Sequence, residues 1–276
     1  MTEQQHEIPQ PVDGRRVIVI IPVKNASKEL ARTLESVRED PDLVDILVVD
    51  DGSAIPVEVD GDAHPVRVTR FDQSRGIAAA LNHGISIGRS LGYRYIARLD
   101  AGDFAEPNRF ARQRDYLDTH PEVLMVTSYV DYIDDDGDLL FTMRPPVDPE
   151  AIARDLKLTN RLTHPAVMFQ ARAFDLAGLY STDYPLAEDY DLFRRIAAVG
   201  PIHTIPEVLT RYTISIRSVS TLRRRRQLYH RIKIQLRYFA PGCLTSYIGV
   251  LQSFLSLAIP RSIMVPIQKI LYGRAR

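Results

Sequence analysis

Three groups of acidic side chains carry most of the chemistry this sequence could perform: Asp50-Asp51-Gly52-Ser53, Asp100-Ala101-Gly102-Asp103 and Glu188-Asp189-Tyr190-Asp191. Carboxylates crowded into one cleft repel one another, so such a site holds a hard divalent cation or one acid–base group with a raised pKa. Mg2+ or Mn2+ takes one or two protein carboxylates and completes its shell with phosphate oxygens, so one cluster suffices for a metal-bound diphosphate. The other two are then free for a ribose or base and for proton abstraction. On local grounds alone, Asp50 and Asp51 also suit a tight turn with Gly52, and Asp189 also suits the positive end of a helix. A fourth acidic run, Asp134-Asp135-Asp136-Gly137-Asp138, lacks the closing Glu of a calcium loop and reads as a hairpin tip.

The hydrophobic pattern supplies the elements that must position these groups. Short β-branched runs at Val17–Ile21, Ile46–Val49, Val66–Thr69 and Tyr95–Leu99 alternate with helical spacing over Ser27–Glu39 and Arg75–Leu91. A further helix from Pro107 to about Thr119, strand signal over Val123–Ile133 and a helix opening at Glu188 and running to Val199 follow. Continuous apolar strands interleaved with helices predict an α/β fold whose mostly parallel sheet is covered on both faces. Ligands of such sheets sit beyond the carboxyl ends of the strands, and those ends carry Pro22–Asn25, Asp50–Ser53 and Asp100–Asp103.

Several alternatives fall away. The loop after the first strand, Pro22-Val23-Lys24-Asn25-Ala26-Ser27, has none of the glycines a pyrophosphate needs, and no P-loop signature occurs, so neither a dinucleotide nor a P-loop nucleotide is expected. One cysteine, Cys243, excludes an internal disulfide or a cysteine-built zinc site. His83 and His203 read as structural or solvated. The first 16 residues form a disordered lead-in without the features of a signal peptide, which points to a cytoplasmic protein.

Residue by residue, VIVIIPVKN, ILVVDDGS, RGIAAALNHGI, YIARLDAGDFAEPNRF, THPAVMF and AEDYDLFRRIAAVG followed by IPEVLTRY stand in the order found in the family 2 glycosyltransferases, which this chain resembles from about Val17 to Ser220. The resemblance implies a GT-A-type, Rossmann-like catalytic domain over 17–220. It implies an inverting enzyme that moves a sugar from a nucleotide-sugar donor, UDP-linked, to a glycan or lipid-linked acceptor in polysaccharide or cell-envelope biosynthesis. In that frame Pro22, Val23, Asn25 and Asp51 meet the base, Asp50 orients their loop, and Arg75, Gly76 and Asn82 line the nucleotide cleft. Asp100 and Asp103 bind ribose and a divalent metal, Mn2+ or Mg2+, with Asp103 as the principal ligand. Asp189 is the general base, supported by Glu188, and His164 either reaches the diphosphate or packs beneath the acceptor loop. Two departures from the family pattern stand out. Gly102 occupies a frequent metal-ligand position, and Thr213 and Ser215 replace the Arg and His of Tyr-Arg-x-His, so their task passes to Arg211 or Arg217 or is lost. Those departures also raise an alternative, a catalytically impaired relative serving as a membrane-associated sugar-nucleotide-binding scaffold.

The chain has 276 residues and 35 groups of each charge, for a net charge of +0, but the charges are not evenly spread. From Val208 onward there are 13 Lys and Arg and no acid, leaving 22 basic and 35 acidic groups in residues 1–207. Within residues 221–276, Leu222–Phe239 is a basic amphipathic helix, and Ala240–Pro260 is uncharged with Leu244, Tyr247, Ile248, Leu251, Phe254 and Leu255 at helical spacing. This segment is expected to lie on an anionic membrane at the inner face of the cell membrane, or to pack on the body or on a second copy in a homodimer. No recognition motif for nucleic acid accompanies the arginines.

Overall fold

The computed structural model describes residues 16–59, 64–214 and 224–258. Residues 1–15 of the expected lead-in, residues 60–63, residues 215–223 with Ser215 and Arg217, and the chain end beyond Ala258 lie outside these residues, whereas Arg16, the last of the lead-in, pairs with Asp45 at 2.6 Å.

The uninterrupted apolar runs become the centre of a sheet because they can be buried on both faces. Strands β1 (Val17–Val23), β2 (Val44–Asp50), β3 (Val66–Arg70) and β4 (Tyr95–Arg98) are parallel in the order β3-β2-β1-β4. Alternate residues of β1 enter two separate cores. Ile18 and Ile20 join Leu47, Val49 and Ile96 on one face, and Val17, Val19 and Ile21 join Ile46, Val48 and Tyr95 on the other. Helix α2 (Ile77–Ser90) covers the first face and lies close against it through two glycines. A Cβ on Gly84 would come within 2.7 Å of Ile20, and one on Gly88 within 3.0 Å of Ile18. Helices α1 (Ser27–Ser36) and α3 (Arg109–Thr119) lie on the other face, where Leu30, Phe110 and Leu117 are buried.

The parallel arrangement ends at β4. Strand β8 (Met168–Gln170) runs antiparallel to β4 and to β6 (Met125–Ile133), while β9 (Ile202–Thr213) runs parallel to β6. Strand β7 (Leu139–Met143) returns along β6 after the acidic tip, where Asp134 Oδ1 accepts the amides of Asp136 and Asp138 as the hairpin reading expects. The two-residue β5 (Phe104–Ala105) pairs with Thr210 and Arg211 and so draws the 100–103 loop against the end of β9. Helices α4 (Pro149–Leu158), α5 (Ala173–Ala177) and α6 (Glu188–Val199) complete the body.

Two helix boundaries differ from the sequence pattern for a common reason. Helix α1 stops at Ser36 because Glu39 turns away to accept the Phe110 and Ala111 amides, capping α3 from across the fold. Helix α2 starts at Ile77 because the amides of Arg75 and Gly76 are taken by Asp51. The tail forms α7 (Arg224–Arg237) and α8 (Leu244–Ala258), an antiparallel pair joined by an Arg224 Nη2 bond to the Ser256 carbonyl at 2.8 Å. Ile234 of α7 is fully buried in the body's own core, and Gln235 Nε2 donates to the Leu158 carbonyl at 3.0 Å.

Candidate active site

Register fixes where the loops emerge. Val23 pairs with Asp50 and Ile20 with Arg98, so the loops after β1, β2 and β4 leave one edge of the sheet. Pro22 is half-buried there and Val23 buried, with the Val23 carbonyl accepting Asp51 N–H at 2.8 Å. Asn25 has φ of 53°, in the left-handed region that Asn tolerates better than most residues. From there its amide donates to Ser53 Oγ and its Oδ1 accepts Ala54 N–H, both at 2.8 Å, locking the first two loops together. Asp50 orients the second loop by accepting Ser53 N–H at 2.8 Å and pairing with Arg70. Burial pushes its carboxyl up, but the bonds from Ser53, Val57 and Arg70 outweigh burial and hold it below the usual carboxylate range. Asp51 accepts Arg75 N–H at 2.6 Å, Ser74 Oγ–H at 2.7 Å and Gly76 N–H at 3.0 Å. Its carboxylate therefore builds the 74–76 turn. The exposed Arg75 guanidinium stacks 4.7 Å over Phe71.

The 100–103 loop is built around Thr33, whose Oγ1 accepts Gly102 N–H at 2.8 Å and lies 2.9 Å from the Asp103 carbonyl oxygen. Gly102 has φ of 101°, a conformation in which an Asp at this position would be strained. The two departures from the family pattern meet here. Thr213 Oγ1 donates to the Gly102 carbonyl at 2.6 Å, and its amide donates to Asp103 Oδ1 at 2.9 Å. Asp103 is buried, and burial together with the nearby Asp100 raises its carboxyl well above the ordinary range. Behind it Arg109, fully buried, ties the Arg98 and Pro165 carbonyls together at 2.8 and 2.7 Å.

The acids of α6 stand at the positive end of their helix. Leu186, two residues before Glu188, has φ of 73°, a strained value for a leucine, and so turns the chain sharply into the helix. Burial raises the Glu188 carboxyl, which is only partly offset by backbone amides at the helix start. Asp189 is pushed up to about 7, first by burial and then by the Glu188 charge, and Asn160 Nδ2 donates to its Oδ2 at 2.9 Å.

Arg98 joins the second and third acid groups, and no sequence pattern singled it out. It is 2% exposed, its Nη2 lies 2.8 Å from Asp100 Oδ1, and its charge acts on Asp103, Glu188 and Asp189 as well. Tyr180, also missed, lies buried beside it and is kept protonated by burial, while its hydroxyl meets His164 Nε2 at 2.8 Å. That bond and an edge-on contact with Phe193 fix the His164 ring. The alternation from acidic cluster to strand offered no signal for Asn160 or Tyr180, which come from loops.

Asn82 holds Tyr180: its Nδ2 donates to the Tyr180 carbonyl at 2.8 Å and its Oδ1 accepts the Tyr180 amide at 2.9 Å. Arg211 pairs with Glu106 at 2.9 Å and stacks 5.2 Å over Phe104, next to the 100–103 loop.

Among the described residues no group of three His, Cys, Asp or Glu side chains could hold a metal on protein ligands alone. One buried acid nevertheless fits one: Asp103 Oδ2 is buried and, among the described residues, has no hydrogen-bond partner, and the neighbouring Asp100, paired with Arg98, stands beside it. That donor set suits a hard cation whose shell is completed by phosphate oxygens.

A sheet of this topology with acids at its carboxyl edge defines a GT-A-type α/β fold, and comparison with known proteins gives its family. The sequence profile of glycosyl transferase family 2 matches residues 18–175, and the chain belongs to that family. It is 26% identical over 216 residues to the amylovoran biosynthesis glycosyltransferase AmsE of Erwinia amylovora, covering 77% of this chain and 78% of that one. It is 37% identical over 101 residues to the succinoglycan biosynthesis protein ExoU of Rhizobium meliloti (strain 1021), covering 35% of this chain but only 29% of that one. Among solved structures, S. aureus TarS 1–349 in complex with UDP-GlcNAc superposes with a TM-score of 0.63 at 13% identity, covering 87% of this chain and 73% of that one. The mannosyltransferase PcManGT from Pyrobaculum calidifontis in complex with GDP-Man and Mn2+ gives 0.60 at 17% identity, covering 94% and 74%.

Proposed function

We propose that this glycosyltransferase is an inverting hexosyltransferase that takes a sugar from a UDP-linked donor and adds it to a glycan or lipid-linked glycan during polysaccharide biosynthesis. The observation that carries this reading is the single buried Arg98, whose charge acts on the acids of both the 100–103 loop and the start of α6. The two groups thus belong to one electrostatic unit, one for the donor diphosphate and one for the acceptor. Polysaccharide biosynthesis is supported by the roles printed in the names of the amylovoran and succinoglycan relatives.

Asp189 serves as general base. Its raised pKa lets it take the acceptor hydroxyl proton near neutral pH, as that oxygen attacks the anomeric carbon from the face opposite the leaving diphosphate. A single displacement inverts the configuration. Asn160 and the helix start hold the Asp189 carboxylate in place. The loops of Pro22–Asn25, Asp50–Ser53 and Ser74–Gly76 form the base-binding wall, with Asp51 fixing the turn on which Arg75 and Gly76 stand. Asp103, with Asp100, would hold Mn2+ or Mg2+, which when bound neutralises charge on the departing nucleoside diphosphate. The enzyme works in the cytoplasm against the inner face of the membrane, where the basic tail supports a peripheral location.

A panel of UDP- and GDP-linked sugars with Mn2+ tests the proposal. One donor should bind and be slowly hydrolysed, with inverted configuration in the released sugar. Metal-dependent binding without turnover of any donor would instead assign the chain to the impaired scaffold.

A further inference from the structure

The second tail helix has its polar side turned inward. On α8, Ser246 and Ser253 are buried, and a Cβ on Gly249 would meet the Lys157 carbonyl oxygen at 2.3 Å. The outer face carries Leu244, Tyr247, Ile248, Leu251, Phe254 and Leu255, each between 37% and 72% exposed. These six recur at i, i+3, i+4 and i+7 along a helix of 15 residues, so they form one stripe rather than scattered surface residues. The orientation is pinned at both ends. Arg224 bonds the Ser256 carbonyl, Phe239 packs edge-on to Tyr247 at 4.8 Å, and Gly249 leaves no room for a rotated helix to bring a larger side chain inward.

Charge identifies what covers the stripe. The neighbouring α7 exposes Arg225, Arg226, Lys233 and Arg237, and no acid occurs in the sequence after Glu207. A second copy meeting this face about a twofold axis would bring those cations toward their own counterparts with no carboxylates from the tail to offset them. An anionic bilayer offers the complement, acyl chains for the stripe and negative headgroups for the cations. At 15 residues α8 is shorter than the roughly 20 that crossing requires, and no described helix is long and apolar enough to span a membrane.

We infer that α7 and α8 form an interfacial anchor, with α8 lying in the plane of an anionic membrane on its Leu244–Leu255 stripe and the α7 cations at headgroup level. This deepens the peripheral location proposed above and rests on it for biological setting only, because vesicle binding is read without any sugar transfer. The anchor is bonded to the acceptor side of the site. Tyr238 Oη–H donates to Asp191 of α6 at 2.9 Å, and the Leu158 carbonyl that accepts Arg231 and Gln235 lies two residues before Asn160, the donor to Asp189. A lipid-linked acceptor lying in that bilayer would reach the base from the anchored side.

The test is cosedimentation of the full chain with vesicles of phosphatidylcholine alone or with about 30% phosphatidylglycerol, the range in which basic segments respond to surface charge. The wild type should sediment with the anionic vesicles and not the neutral ones, and raised salt should release it. Leu251→Ser combined with Phe254→Ser changes only exposed side chains and should keep the thermal midpoint while lowering vesicle partitioning at least tenfold. Arg225→Gln with Arg226→Gln should lower it by about tenfold or more. Wild-type protein left in the supernatant, or a serine variant that sediments like wild type, overturns the anchor. So does a solution dimer that the serine pair makes monomeric in the absence of vesicle binding, which would give the stripe to a second copy.

Discussion

Asp189 owes its chemistry to opposing neighbours: burial and Glu188 push its carboxyl up to about 7, while Arg98 pulls it down. A base of that pKa is about half ionised at neutral pH, so kcat/KM should rise through pH 7 and level off above about pH 8. The same shift sets a stability window. Between the ordinary 3.8 and about 7 the folded protein holds a proton that the unfolded chain has released, so stability falls as pH rises across that range. Asp189→Asn removes the cost of the buried charge and should raise the thermal midpoint at pH 8 more than at pH 4. Arg98 is the counterweight. Arg98→Met leaves buried acids uncompensated and should cost about 3–5 kcal/mol in denaturant unfolding. It should also move the rising limb of the pH profile to higher pH, and Arg98→Lys should bring the limb back. For Asn82 the two bonds to Tyr180 set a different expectation: Asn82→Ala should cost about 2 kcal/mol of stability and leave donor KM within about twofold. The acids were legible in the sequence because two clusters fall at strand ends and the third at a helix start. Arg98, Tyr180 and Asn160 were not, because a lone buried arginine and two loop residues acquire their roles only from partners distant in sequence.

Among the elements, the strands β1, β2 and β4 and helix α6 follow directly from their patterns, since each apolar run has one way to be buried, while β3 is a half-exposed edge strand. The sequence pattern offers no helix over α4, although Asp148 caps its N-terminus by accepting Ala151 N–H at 2.9 Å, with Pro149 at its first position. Three-residue β8 and its antiparallel pairing were beyond periodicity, because so short a run takes its direction from β4 and β6 rather than from itself. The Gly102 departure becomes intelligible only when β5 pairs with β9. Pairing brings Thr213 to the loop, and the positive φ then favours glycine over the more common acid. Gly102→Asp should therefore lower stability by about 1–2 kcal/mol, read as the denaturant midpoint, without improving Mn2+ affinity.

At the scale of the whole molecule, the charge asymmetry read from the sequence marks a tail that is also part of the body. Tyr238 bonds Asp191, Arg237 bonds Tyr184 Oη at 3.0 Å, and Ile234 is fully buried among residues of the catalytic body. Deleting residues 222–276 should consequently lower the thermal midpoint and promote aggregation, where a free appendage would leave the body's melting unchanged. The most direct test of the central claim, that the acid groups at one sheet edge serve a single transfer reaction, is to compare donor binding and transfer in wild type and Asp189→Asn. Calorimetric titration with the preferred nucleotide sugar and Mn2+ should give a Kd within about threefold of wild type, while kcat for transfer falls by about 10²–10⁴. Undiminished transfer by Asp189→Asn would contradict the account.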